Sequence, residues 1–326
     1  MTIDRRALLG AAAFAPLAAR APAFGQAGYP DHVIKIIVPF VAGAFTDVSA
    51  RLVAQELTEQ LKQPVIVENR GGAGGTVGTT AVVRAAPDGY TLVLTDTSLS
   101  ISPGLYPSLP YDPVKDLAHI SRIADSPSIL LVRNGLGPKN LAELIALAKQ
   151  KPGQLTFGSG GAGSSAHLAM EFLLNTAGVT ALHVPFRGVA AAIAEVIAGR
   201  IDMAIASLAA GVAQVKGGTL LGFGVTGQKR SELLPEVPTF IEAGLPGYDM
   251  TYWWGIAAPA GTPPEIVDRL NREIVQACAQ PRLKEAFLQQ AAVAVTSTPE
   301  EMAKHVEREI GIWRDVIKRA NVTVQQ

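Results

Sequence analysis

From residue 29 onward, short β-branched runs alternate with segments whose apolar positions recur every three or four residues. Residues 33–38 form such a run and predict a buried strand. A loop over 39–45 follows. Thr46 and Asp47 then read as caps of a helix reaching to about Lys62, with Val48, Leu52, Val53, Leu57 and Leu61 on its apolar face. Residues 65–67 predict the next strand, 71–75 a glycine-rich turn, 76–86 a helix, 87–89 a turn and 91–94 a strand. This β-α-β-α-β order predicts a doubly wound α/β unit.

A second series begins with a strand at 129–132, a helix at 140–149 and a strand at 155–157. The glycine-rich loop 158–163 leads into a helix that opens at Ser164 or Ser165. Strands at 183–186, 203–205 and 220–225, a helix at 189–198 and a short helix after 236–239 complete the series. Beyond 252–257 the pattern turns helical, over 265–280 and 300–320, with 291–295 the only strand candidate between them. Two α/β units followed by a helical tail predict that the tail packs back on the first unit.

Composition narrows the classes. Of 326 residues, 48% are hydrophobic and 17% charged, which is ample for packed cores and excludes a disordered chain. The 28 Lys and Arg balance the 28 Asp and Glu without a long basic run, and aromatics make up only 6%. Neither the clustered cations nor the stacking rings of a nucleic-acid binder are present. The N-terminus carries Arg5 and Arg6, then an apolar, alanine-rich stretch to Ala19 too short to span a bilayer, then small residues. That layout predicts an export signal over 1–27, with the arginine pair suggesting the twin-arginine route, and a periplasmic mature protein. Losing Arg5, Arg6, Arg20 and Asp4 turns the even balance into a net charge of −2. The lone cysteine, Cys278, excludes an internal disulfide and falls in a helical run, where burial is expected.

Two loops hold the candidate chemistry, 39–47 and 158–165. Each follows a strand and opens a helix, so each offers unpaired backbone N–H groups and the positive end of a helix dipole. Together with the hydroxyls of Thr46, Ser159, Ser164 and Ser165 they suit an anion without needing an arginine. Asp47 reads equally as a helix cap or as part of the ligand wall. Arg187 reads as an anion partner or a solvated charge. Tyr252, Trp253 and Trp254 read as interdomain packing, or one ring as a ligand wall. Residues 158–163 satisfy G-x-G-x-x-G, but no carboxylate follows at ribose-binding distance before Glu195, which argues against a dinucleotide. The five histidines are scattered, so no transition-metal site and no cofactor is expected. A hydrolase or transferase built on Ser164 is the rival reading; Gly163-Ser164-Ser165-Ala166 lacks the closing glycine of a nucleophile elbow, and only His167 and His183 are nearby as bases.

The segments Tyr29-Pro30, Ile36-Ile37-Val38-Pro39-Phe40, Thr46-Asp47, Val67-Glu68-Asn69-Arg70, Ala86-Pro87-Asp88-Gly89-Tyr90-Thr91, Leu109-Pro110-Tyr111-Asp112-Pro113, Gly163-Ser164, His167-Leu168, His183-Val184-Pro185-Phe186, Val237-Pro238-Thr239 and Pro259-Ala260-Gly261-Thr262-Pro263 occur in a familiar order and spacing. Over residues 29–322 the chain resembles the Bug (TctC-like) substrate-binding proteins of the tripartite tricarboxylate transporter system. The resemblance implies an α/β, type II periplasmic-binding-protein fold: two doubly wound lobes, 28–125 with 252–326 and 126–251, joined by two crossover strands. It implies a monomer with a small carboxylate held between the lobes by backbone amides, hydroxyls and water, and delivery to the permease subunits in the membrane, or to a sensor. Carried onto this chain, the ligand residues are Phe40, Gly43, Ala44, Phe45, Thr46 and Asp47 of loop one, Thr95, Thr97 and Ser98 after the third strand, and Ser159, Gly163, Ser164 and Ser165 of loop two. Phe186, Arg187, Ser207 and Trp254 complete the set. Loop one departs from the family's usual Pro-Pro-Gly-Gly-Ser/Thr, with Val41-Ala42-Gly43-Ala44-Phe45 in its place; Phe186-Arg187 replaces Tyr-Lys, and Ala206-Ser207-Leu208-Ala209 replaces Asp-Asn-Leu-Pro. These changes make the pocket more apolar and favour a mono- or dicarboxylate with an apolar or aromatic middle.

Overall fold

Strand–helix alternation governs the chain in the computed structural model, which describes residues 28–43 and 45–323. The expected export signal and Ala44 lie outside the described residues. In chain order the elements are β1 (Ile34–Val38), α1 (Phe45–Leu61), β2 (Val65–Asn69), a 3-10 turn at Ala73–Gly75, α2 (Thr76–Val83), β3 (Thr91–Asp96), α3 (Thr97–Leu105) and β4 (Leu117–Arg133). Next come α4 (Leu141–Gln150), β5 (Thr156–Ser159), α5 (Ser165–Ala177), β6 (Leu182–Pro185), α6 (Val189–Ile197), β7 (Met203–Ser207), α7 (Leu208–Lys216) and β8 (Leu220–Val225). The chain finishes with β9 (Thr251–Pro259), α8 (Pro264–Ala279), α9 (Pro281–Gln289), β10 (Val293–Ala294) and α10 (Pro299–Arg319).

The strands follow the order β2-β1-β3-β9-β4-β7-β5-β6, with β8 and β10 also paired to β4. β1 runs parallel to β2 and β3, and β5 parallel to β6 and β7, as crossover helices require. The fold is the type II periplasmic-binding-protein architecture. β4 and β9 are its crossing strands. The first part of β4 pairs antiparallel with β9, from Leu117↔Pro259 to Pro127↔Thr251, and the rest pairs with β7 and β8.

Four differences from the sequence reading have local causes. β4 spans 17 residues and not only its apolar end at 129–132, because its first part alternates buried positions with Arg122, Asp125 and Pro127. α3, which opens directly after β3, carries little apolar periodicity and was not expected; neither were α7 and α9. Residues 236–244 form turns and one bridge, Val225↔Thr239, where a short helix was expected. Thr46 and Asp47 lie inside the first turn of α1 and not before it.

The helical tail also differs. α10 starts with a capping box, Thr298 and Glu301, and carries one buried stripe. Its first half, Met302, Val306 and Ile310, packs with Trp253 and Tyr111, as a tail folded back on the first unit would. Its second half, Trp313, Val316 and Ile317, joins the core that contains Leu130, Phe157 and Leu168 of the second series. A helix of 21 residues is simply long enough to reach both. Cys278 is buried as expected, and burial pushes its thiol up to about 12.

Candidate functional site

Loop one is shaped by a single carboxylate. The Asp47 side chain is only 6% exposed. It accepts from the Gly43 amide at 3.1 Å, from Asn69 Nδ2 at 2.9 Å and from Arg51 Nε at 3.1 Å. Burial alone would raise its pKa, but the hydrogen bonds from Arg51, Asn69 and Gly43 outweigh it and hold the carboxyl below its ordinary value. Asn69 also donates to the Phe40 carbonyl at 3.1 Å, tying the end of β2 to the start of the loop. Gly43 takes φ +97°, a conformation a side chain would strain. Asp47 therefore acts as the brace of the loop: its lone pairs are committed to the protein.

The aromatic residues of loop one turn toward the core. Trp254 Nε1 donates to Thr46 Oγ1 at 3.0 Å, which leaves the Thr46 hydroxyl proton to donate elsewhere. The half-buried Phe45 ring meets Trp254 edge-on, centroids 4.4 Å apart, and Phe287 at 5.4 Å. Trp254 itself is 9% exposed, so most of its ring is packing surface. The register Asp96↔Trp254 brings the segment after β3 alongside. There Asp96 caps α3, accepting from the Ser98 amide at 2.9 Å and from the Ser98 hydroxyl. Protein packed around the partly exposed Asp96 carboxyl pushes it up to about 6, against those two hydrogen bonds. Thr97 Oγ1 accepts from the Trp253 amide at 3.2 Å, and Thr95 is buried with its hydroxyl unpartnered.

Loop two is shaped by two histidines. Gly161 and Gly163 take φ +121° and +75°. Ser164 caps α5, its hydroxyl accepting from the His167 amide at 3.3 Å. His167 Nδ1 accepts from the Gly163 amide at 3.0 Å, so its neutral ring carries the proton on Nε2. The His167 ring stacks on His183, centroids 3.7 Å apart. His183 Nε2 lies 2.6 Å from Ser159 Oγ, and Ser159, fully buried, also bonds the Gly161 backbone. Ser159 thus holds the loop from beneath, while Ser164 and Ser165 sit half-buried at its rim. No imidazole bonds Ser164 Oγ among the described residues. Phe186 lies against β5, with its Cε2 at 3.4 Å from where a Gly158 Cβ would stand. Arg187 is exposed, and Ser207 precedes α7 without capping it.

Burial, and then the neighbouring His167, lower the His183 pKa to about 4. In the unfolded chain it titrates near 6.5. The unfolded state therefore binds the extra proton between those values, and this contribution to stability is lost as pH falls from about 6.5 to about 4. Nuclear magnetic resonance should show the His183 ring titrating near 4. His183→Asn should flatten that part of the pH–stability profile; an unchanged profile would discount the stacked pair as a brace.

The structure thus gathers the nominated residues into two groups. Phe40, Gly43, Phe45, Thr46, Asp47 and Trp254 form one, joined by Thr95, Thr97 and Ser98 through the β3–β9 pairing. Ser159, Gly163, Ser164, Ser165 and Phe186 form the other. α3 packs against α5, which links the two groups. Sequence reasoning passed over Asn69, Arg51, Asp96 and the bracing role of His183. Arg51 was readable as the i+4 partner of Asp47, and Asp96 as the acidic residue just before a Thr-Ser helix start.

A sequence model described as "Tripartite tricarboxylate transporter family receptor" matches residues 49–322. The chain belongs to that family. Loop one lies ahead of the matched segment. Among the receptors' relatives, Protein BugT of Bordetella pertussis is 36% identical over 299 residues, covering 91% of this chain and 92% of BugT. The solved structure "R. palustris Rpa4515 with adipate" is 32% identical, with a TM-score of 0.76 over 91% of this chain and 99% of that one. MatC of Rhodopseudomonas palustris, solved with bound malate, is 32% identical, with a TM-score of 0.73 over 89% of this chain and all (100%) of that one. These matches place the chain among the solute receptors of the tripartite tricarboxylate type. No helix of the described residues is long and apolar enough to cross a membrane.

Proposed function

We propose that this receptor binds a small mono- or dicarboxylate between two lobes, 28–125 with 252–326 and 126–251, and passes it chemically unchanged to a tripartite tricarboxylate-type permease. The observation that carries the reading is the placement of helix starts: α1, α3, α5 and α7 each open beyond the carboxyl end of β1, β3, β5 or β7. In open α/β sheets that is where ligands sit. The chain acts as an exported monomer without metal or cofactor.

The energetics are adequate. A micromolar ligand needs about −8 kcal/mol. Each helix N-terminus offers about 0.3–1 kcal/mol, up to about 2 when partly buried, and each neutral hydrogen bond about 0.5–1.5 kcal/mol. The donors are the hydroxyls of Thr46, Ser164, Ser165 and Ser207, the loop amides, and the arginine at 187. Apolar burial against Phe40 and the free edge of Phe45 adds about 25 cal/mol per Å² and favours an apolar middle. The adipate and malate of the two R. palustris proteins fit the same class. The rival enzyme is disfavoured because Ser164 Oγ serves as a helix cap, while His183 is engaged with Ser159.

Calorimetry with dicarboxylates and their matched diamides tests this. The acids should bind at least about tenfold more tightly, since each lost charge-assisted bond costs about 1.5–3 kcal/mol. Equal binding of amides would end the anion reading. Mass spectrometry of the recovered ligand should show no chemical change; turnover would restore the enzyme.

A further inference from the structure

Asp96 closes the carboxyl end of β3, the end at which ligands sit in open α/β sheets. Its neighbours fix where the side chain stands. Asp96 pairs in register with Trp254, whose indole bonds Thr46 of loop one. Its Oδ1 accepts from the Ser98 amide and from the Ser98 hydroxyl. That hydroxyl lies 3.6 Å, and the Phe40 ring 3.3 Å, from where a Gly75 Cβ would stand, so the carboxyl is tied beside loop one. The helix it caps, α3, packs against α5, which opens from loop two. Protein surrounds the carboxyl closely, yet solvent reaches it, as expected of a group lining a crevice.

Both Ser98 bonds go to one oxygen. The other, Oδ2, has no hydrogen-bond partner among the described residues and is not sealed from solvent. Nor do the packed elements bring a charge to neutralise it. Asp47 and Arg51 of α1 are paired with each other, and α2 carries no ionisable side chain. Lys35 of β1 stands at the far end of β3, opposite Thr91, and pairs with Glu68. From α5 come His167 and Glu171, 3.7 Å apart, and from α10 comes Arg314, beside Gly104 at the far end of α3. Burial pushes the phenols of Tyr111, after α3, and Tyr252, on β9, up to about 12, so both are neutral. With no cation to offset it, the packed protein pushes the Asp96 carboxyl up to about 6 against the Ser98 bonds. A free carboxyl oxygen thus faces the cleft in which a second carboxylate is to sit. Two carboxylates at hydrogen-bond distance do not both stay ionised; they share a proton.

We propose, on the reading of this cleft as a carboxylate site, that Asp96 couples ligand binding to a proton: a proton from solvent binds Oδ2, and Oδ2–H donates to the ligand's carboxylate. The proton settles on Oδ2 because Oδ1 already accepts two bonds. A hydrogen bond to the charged ligand is of the strong, charge-assisted kind. Ligand and proton then leave the cleft together, so the permease receives both. A neutral amide brings no charge to hold the proton and binds without it.

The test uses the mature protein and four probes: adipate, succinate, malate and benzoate. Calorimetry in buffers of different ionisation enthalpy counts the protons taken up by the tightest binder. With about a tenfold preference for the protonated carboxyl, binding takes up about half a proton at pH 6.5, and affinity falls about fivefold from pH 6 to pH 8. Asp96→Asn keeps the acceptor for Ser98 and supplies a permanent donor. It should bind without that uptake and with a flat affinity over the same range, and it carries the ligand's own titration as a control. Asp96→Ser, also a good helix cap, is the second variant and should lose the uptake as well. Carbon-13 resonance of the Asp96 carboxyl should titrate near 6 in the free protein and at higher pH with ligand bound. Three results overturn the proposal. One is tight binding without proton uptake; malate favoured over succinate then assigns Oδ2 to a hydroxyl of the ligand. Another is uptake that persists in both variants, which moves the proton to a different group. The third is binding by none of the four acids, which removes the carboxylate reading of the cleft as well; the first two leave that reading standing.

Discussion

Asp47→Ala should lower stability by about 2–3 kcal/mol and carboxylate affinity by about tenfold or more. The substitution removes the acceptor of the Gly43 amide, of Asn69 Nδ2 and of Arg51 at once. Arg51 is half-exposed and regains water, so the loss stays below that of breaking a fully buried ion pair. Asn69 and the Gly43 amide have no such recourse as long as loop one keeps its shape. The loop therefore relaxes, and the start of α1 moves with it. Asp47→Asn retains the shape and one acceptor oxygen and should fall between the two proteins. The carboxyl's depressed pKa adds a sign check. Its contribution is present above the ordinary carboxylate value near 3.9 and disappears as pH falls through the lower, folded value, so the gap between wild type and Asp47→Ala should narrow in acid. Urea midpoints and calorimetry measure both effects. An Asp47→Ala protein with normal affinity would separate loop one from the ligand.

Trp313→Ala should cost about 3–5 kcal/mol, the usual range for deleting a buried tryptophan. Trp313 is 2% exposed and lies in the core that joins Ile101 of α3 to Leu173 of α5. Its indole donates to Glu309 Oε2 at 2.9 Å. Burial, partly offset by this bond, raises the Glu309 carboxyl above its ordinary pKa. Truncation leaves a void and strands that carboxyl. Trp313→Phe keeps most of the volume and loses only the bond, so about 1–2 kcal/mol is expected. Denaturation with urea separates the two. A loss below about 1 kcal/mol for Trp313→Ala would show that α10 is a dispensable cover and not the clasp between the two series of elements.

The helix–strand alternation, both glycine-rich loops and the family were legible in the residues themselves. Each rests on local information: β-branched runs, apolar spacing, turn residues, or motifs a few positions long. The same locality explains the faults. Polar positions such as Arg122 and Asp125 concealed the first part of β4, whose strand character comes from pairing with β9. Phe45 reads as a pocket wall from its place in the loop, and no local pattern shows that its half-buried ring also meets Trp254 and Phe287. Asp47 was readable as a cap or a ligand wall, and the deciding partner, Asn69, lies 22 positions away.

The sequence by itself determined the strand–helix alternation of most segments, the helix starts after the two loops, and that the chain is a receptor of this family, because those properties depend on neighbours along the chain. Only the tertiary structure decided which side chains are free to act. Thr46 meets Trp254 across 208 positions, and Ser159 meets His183 across 24. Trp253 and Trp254 serve opposite faces of one strand, the first packed under α10 and the second bonded to loop one. A hydrogen bond or a void depends on distances in space, and no local pattern of residues encodes which distant partner will satisfy a buried donor or leave it unpaired.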